Sequence, residues 1–151
     1  MEVTESMKFN FKLEKVLNYK ENIEGYKKNL YGTVQEKLNK EEDRLKYINQ
    51  YKKNLENEKS ISATKTKVGN LLMYNNYIKD ISKKIENQEK LVIETRKELE
   101  EAKEEMIIAV KEKKIFEKLK EKEYEKHLYE MEKEEEKQID SLVSYKMSTQ
   151  Q

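Results

Sequence analysis

Apolar residues recur along this chain at alternating steps of three and four, and the pattern falters only once, from Ser60 to Asn70. Such spacing lines side chains up on one helical face, and sustained over many heptads it predicts a coiled coil. A first helix is expected over residues 9 to 58. In its first half Phe9, Val16, Ile23 and Leu30 stand seven apart, with Tyr19 and Tyr26 three residues after Val16 and Ile23, which reads as an a/d seam. In its second half the seam passes through Tyr31, Val34, Leu38, Leu45, Ile48 and Leu55, with Glu41 and Lys52 at seam positions. The two halves are offset by one residue near Leu30 to Gly32, a skip that locally adjusts helix winding.

Serines, threonines and a glycine cluster between Ser60 and Asn70. These residues compete with helical hydrogen bonds and favour caps and turns, so the turn of a hairpin is expected over residues 60 to 69. A second helix follows over residues 70 to 147. Leu71, Tyr74, Ile78, Ile81, Ile85, Gln88, Val92, Thr95, Leu99, Ala102, Met106 and Ala109 hold one register. Beyond Phe116 the seam shifts to Tyr124, Leu128, Met131, Leu142 and Tyr145, with Glu135 and Gln138 as polar inserts. The tail from Ser148 is expected to fray. The predicted fold is all-α: one antiparallel coiled-coil hairpin over residues 1 to 151, its second helix the longer.

The inequality has a consequence. At 1.5 Å per residue the helices span roughly 75 Å and roughly 115 Å. Folding back near residue 65 sets Phe9 opposite about residue 121 by that rise. Tyr124, Leu128, Met131, Leu142 and Tyr145 then form an apolar stripe with no helix of this chain to cover it, which points to an external partner.

Composition supports the hairpin over a globule. The chain has no proline among 151 residues, and proline is what breaks helices. Charged residues make up 42% and apolar residues 35%, enough for a narrow seam rather than a round core. Basic and acidic residues number 32 and 31 and alternate along most of the chain, which favours solvated helix faces over a nucleic-acid footprint. Only Arg44 and Arg96 are arginine, so specific nucleic-acid recognition is not expected. With no cysteine there is no disulfide or thiolate site. No apolar run reaches the length of a membrane span, and Met1 to Lys8 carries no signal-peptide core. A cytoplasmic protein is expected. Gly25 and Gly32 fall inside the first helix; they read as outer-face glycines or, alternatively, as a flexible point or a close contact.

Candidate chemistry is sparse. Three glycines cannot build a phosphate loop, and His127 is the sole histidine, expected to be solvated beside Leu128. The acidic run Glu132 to Glu136 reads as a solvated face. Neither an enzyme nor a cofactor is expected. The ten tyrosines say more. Tyr47, Tyr51 and Tyr77 flank seam positions instead of occupying them, and the fold-back brings all three near the turn. Exposed tyrosines on a stiff element make good interface anchors.

The stretch Met7-Lys8-Phe9-Asn10-Phe11-Lys12-Leu13-Glu14-Lys15-Val16-Leu17-Asn18-Tyr19-Lys20-Glu21 resembles the opening of the FliJ family, the stalk proteins of bacterial flagellar export. Lys113-Lys114-Ile115-Phe116-Glu117-Lys118-Leu119-Lys120-Glu121-Lys122 is similar to a later part of the same family. Residues before Met7 do not match the family's usual start, which leaves Met1 or Met7 as the natural start. The resemblance implies a cytoplasmic, non-enzymatic shaft, peripherally associated with the membrane at the flagellar base. It implies three partners: the hexameric export ATPase, the membrane export gate protein and export chaperones. It also implies a gate-binding patch on Tyr47 to Leu55 and Tyr74 to Ile81, with Tyr47, Tyr51, Tyr77 and Ile81 as its residues. Lys84 and Gln88 would continue that face with polar groups. The stripe Tyr124, Leu128, Met131, Leu142 and Tyr145 would then face the ATPase ring. The alternatives are a general coiled-coil scaffold or tether, or the equivalent stalk of a virulence secretion system.

Overall fold

The structure, a computed structural model, describes residues 8 to 63 and 68 to 150. Two helices account for nearly all of them: α1, Glu14–Ser62, of 49 residues, and α2, Val68–Thr149, of 82. They pack against each other, and no strand forms among the described residues. Their length follows from a proline-free sequence of strong helix formers, helped by i,i+4 ion pairs such as Lys52–Glu56, Glu86–Lys90 and Lys113–Glu117.

Both helices reach further into the expected turn than the clustered serines and threonines suggest. Ser60 to Ser62 continue α1, with the Ala63 amide donating to the Lys59 carbonyl at 2.9 Å, and Val68 and Gly69 already belong to α2. Thr64 to Lys67, the centre of that turn, lie outside the described residues, as does the start at Met1 or Met7. At the other end α1 starts at Glu14 instead of residue 9. The Glu14 amide donates to the Phe11 carbonyl at 3.2 Å, closing a turn that tucks Phe11 into a site where only 4% of it is exposed. Glu14 then sits where an acidic group favours the helix dipole.

The chain packs as two compact units, each built from both helices. The turn-side unit is Tyr26–Ile107. Its α2 seam follows the expected register: Ile85, Gln88, Val92, Thr95 and Ala102 are buried, with Tyr74, Ile78, Ile81 and Leu99 half-buried. On α1 the seam holds Tyr31, Val34, Leu38, Leu45, Ile48 and Leu55, and Glu41 and Lys52 occupy it as expected. Ion pairs cross from helix to helix at Lys27–Glu105 (2.8 Å), Lys37–Glu98 (3.3 Å) and Arg96–Glu42 (3.1 Å), which fixes the antiparallel direction.

The terminal unit comprises residues up to Gly25 and from Ile108 onward. Here the expected seam needs correcting. Tyr19 is 62% exposed, and in the neighbouring unit Tyr26 is 65% exposed, so neither is a seam residue. The deeply buried line runs one residue later than the apolar one, through Leu17 and Glu24, and continues at steps of seven through half-buried Tyr31 to buried Leu38. The spacing therefore contains no skip near Leu30 to Gly32. Lys20 and Lys27 hold the alternate seam positions, half-buried, with their ammonium groups on Glu112 and Glu105 at 2.8 Å. Lysine can do this because its long stem covers apolar surface while the charged head stays at the edge. A β-carbon placed on Gly25 or Gly32 would meet nothing within 4 Å, which removes a close contact as the reason for either glycine.

Pairing at the chain's start also differs from expectation. Phe9 packs edge-on against Tyr124, ring centres 5.2 Å apart, and lies 5.5 Å from the His127 ring, so it sits beyond residue 121. Tyr124 thus has a partner within the chain, and His127 is half-buried instead of solvated. Among the described residues Met131 is the last half-buried one; Glu132 to Gln150 are exposed throughout.

Candidate docking grooves beside the turn

Near the turn the seam opens. Tyr47 and Tyr51 project from α1, one turn apart, and Tyr77 and Ile81 from α2, likewise one turn apart. The antiparallel pairing brings all four into the wall of one groove of about 700 Å³, completed by Arg44, Ile48, Leu55, Asp80 and Lys84. Tyr47 is 72% exposed, Tyr51 47% and Tyr77 53%, while Ile81 is half-buried at the floor. A second groove of about 550 Å³ shares Tyr51, Leu55 and Tyr77 and extends toward the turn through Glu58, Ser62, Asn70, Met73 and Tyr74. Shape and chemistry match a protein-docking surface: flat aromatic anchors over an aliphatic floor, with charged groups at the rim.

Met73 and Arg44 escaped the sequence reading. Met73 stands four residues before Tyr77 on the same face, a signal that was present but hidden because it adjoins the seam residue Tyr74. Arg44 lies three residues before Tyr47 in the same way. Lys84 closes one end of the larger groove. Gln88 leaves that face. It turns into the seam, its amide donating to the Glu41 backbone carbonyl at 3.0 Å and to the Glu41 carboxylate.

The five residues of the C-terminal stripe do not behave alike. Tyr124, Leu128 and Met131 are partly covered, Tyr124 by Phe9. Leu142 and Tyr145 are 63% and 67% exposed, as are their neighbours Ile139, Val143 and Met147 to similar degrees. Near the tail's end the Thr149 hydroxyl donates to the carbonyls of Tyr145 and Lys146, both at 3.1 Å.

Electrostatics are local. Lys113 is held above the usual lysine range chiefly by Glu24, whose carboxylate lies 2.9 Å away and is almost fully buried. Lys27 is raised in the same direction by Glu105. Among the described residues no three or more His, Asp or Glu side chains gather as a metal site would need, and no helix is long and apolar enough to cross a membrane.

Two long helices packed antiparallel, with an aromatic groove lined by residues of both, define an all-α coiled-coil protein. The chain belongs to the FliJ family: residues 8–151 match the family described as Flagellar FliJ protein. It is a non-enzymatic component of the flagellar protein export apparatus. Among curated proteins and solved structures none matches the chain significantly.

Proposed function

We propose that the chain couples two parts of the export apparatus, the hexameric export ATPase and the membrane export gate protein, and that it also engages export chaperones. The groove lined by Tyr47, Tyr51, Tyr77 and Ile81 is the gate-binding patch in this reading. The observation that carries it is the convergence of those four side chains, from two helices, on one concave surface. Rigid tyrosines there present large area at small entropy cost. The exposed stripe toward the C-terminus, ending in Leu142 and Tyr145, faces the ATPase ring, with Tyr124, Leu128 and Met131 at its inner end. The chain acts in the cytoplasm, at the membrane face of the flagellar base.

Binding of the full chain to the gate protein's cytoplasmic domain tests the patch. Tyr47→Asp with Tyr77→Asp weakens that binding at unchanged helicity; equal binding by the variant removes the patch from the gate. Mixing the chain with the cognate ATPase tests the other end. Assembly of the ring and its hydrolysis rate rise in its presence, and a Leu142→Asp, Tyr145→Asp variant loses the effect. If the wild-type chain changes neither assembly nor hydrolysis, the ring half of the reading fails.

A further inference from the structure

The terminal unit carries a second apolar face that neither the gate patch nor the C-terminal stripe includes. On α1, Val16, Tyr19 and Ile23 share one side, because residues three and four apart are neighbours on a helix. On α2, Ile108, Ile115 and Leu119 share one side by the same spacing. The two sides are one face of the unit: Lys20, which stands among the α1 row, reaches Glu112, which stands among the α2 row, at 2.8 Å. Tyr19 is 62% exposed, Ile108 55%, Ile115 58% and Leu119 39%. The α2 row runs for about 16 Å at 1.5 Å per residue. The face is thus two apolar rows, one on each helix, with the Lys20–Glu112 pair between them.

Its rim is basic. Lys111 and Lys118 lie three residues past Ile108 and Ile115, Lys122 three past Leu119, and Lys15 four before Tyr19. All four lysines are exposed, and none forms an ion pair among the described residues, unlike Lys20, Lys113 and Lys120 nearby. Two apolar rows, spaced i, i+3, i+7 on α1 and i, i+7, i+11 on α2, fit a helix laid along them, and unpaired lysines on the rim favour carboxylates on that helix. A second copy of this chain would bring lysine rim against lysine rim. A membrane would have to take in the Lys20–Glu112 pair with the rows, at a desolvation cost that a helix resting on the rows avoids.

We propose that this face is a separate docking surface whose occupant is an acidic amphipathic helix of a partner protein. The proposal is independent of the gate and ring readings. The probe is a fluorescein-labelled synthetic helix of about 18 residues, long enough at 1.5 Å per residue to cover both rows, with leucines at alternating three- and four-residue steps and glutamates elsewhere. A control peptide replaces every glutamate with lysine. Fluorescence anisotropy with the full chain is expected to show binding of the acidic peptide only. Ile115→Glu with Lys118→Glu is expected to weaken it about tenfold, and Lys118→Glu alone to weaken it less, with circular dichroism unchanged in both. No binding of the acidic peptide, equal binding of the two peptides, or indifference to both variants overturns the proposal. So does binding to phosphatidylglycerol vesicles that the same variants abolish in the absence of a peptide preference, which assigns the face to a membrane. Concentration-dependent dimerisation in sedimentation that Ile115→Glu abolishes also overturns it, in favour of a second copy.

Discussion

In the turn-side unit, the two buried polar residues, Gln88 and Thr95, are tied to backbone. Gln88 donates to the Glu41 carbonyl, and Thr95, with no exposed surface, donates to the Leu91 carbonyl at 2.7 Å. Around them Leu38, Ile85, Val92 and Ala102 are buried. In the terminal unit, a charged residue is buried instead. Glu24 is buried against Lys113, Lys20 meets Glu112, and Lys120 meets Glu14 at 2.9 Å, with Phe11, Leu17 and Ala109 as the buried apolar groups. Ion pairs of this kind contribute little net stability, because desolvation offsets attraction, but a mispaired charge is costly. Both units carry ion pairs between the helices, but among the described residues only the terminal unit buries a charge, Glu24 against Lys113, and there the register depends on charge matching.

Mutations sort along that contrast. The largest effect is expected in the apolar seam: Leu38→Ala should cost about 2–4 kcal/mol in chemical denaturation, with little dependence on salt. A strong salt dependence in the Leu38→Ala loss would erase the distinction between the units.

Next comes Glu24→Gln, which leaves Lys113 without its main partner. Because Glu24 raises the Lys113 pKa above its ordinary value of 10.5, the folded state holds that proton more tightly than the unfolded chain does. The stabilisation is fully present below 10.5 and is lost as pH rises through the folded value. Melting followed by circular dichroism from neutral pH to strongly alkaline pH should show the wild type losing more stability than Glu24→Gln does. Parallel curves for the two would count against a charge-set register.

A smaller effect, of opposite sign, is expected at Gly32. A β-carbon there meets nothing within 4 Å, so Gly32→Ala should raise stability by about 1 kcal/mol. A loss instead would point to a bend the sequence needs. The smallest belongs to the exposed pair Lys37–Glu98, where Lys37→Ala should change stability by less than about 0.5 kcal/mol.

The sequence was most legible where the seam is apolar. The α2 register from Leu71 to Ala109 can be read directly, since each seam position there is apolar, small or, at Gln88, flanked by apolar turns. In the first half of α1 the same reasoning chose the wrong line. Val16, Ile23 and Leu30 are half-buried, but the deepest positions include Glu24, and Lys20 and Lys27 occupy the alternate ones. Hydrophobic periodicity is blind to long charged side chains that bury their stems. Tyr19 and Tyr26 strengthened the false register because aromatic residues at sevenfold spacing look like seam, while here they cover an outer face. The groove beside the turn was legible for the opposite reason: Tyr47, Tyr51 and Tyr77 stand beside a register read correctly. Arg44 and Met73 required the geometry. The pairing of Phe9 with Tyr124 and His127 was out of reach, because it depends on the non-helical turn before Glu14.

From Glu132 to Thr149 the second helix is exposed on every side. A solitary helix of this length is only marginally favourable in water and gains little from its own hydrogen bonds. Its amide protons should therefore exchange fast in the free chain and slow sharply once anything covers Ile139, Leu142, Val143 and Tyr145. That makes the segment a gauge. Its exchange rate reads out, residue by residue, how much of this C-terminal segment is engaged at any moment.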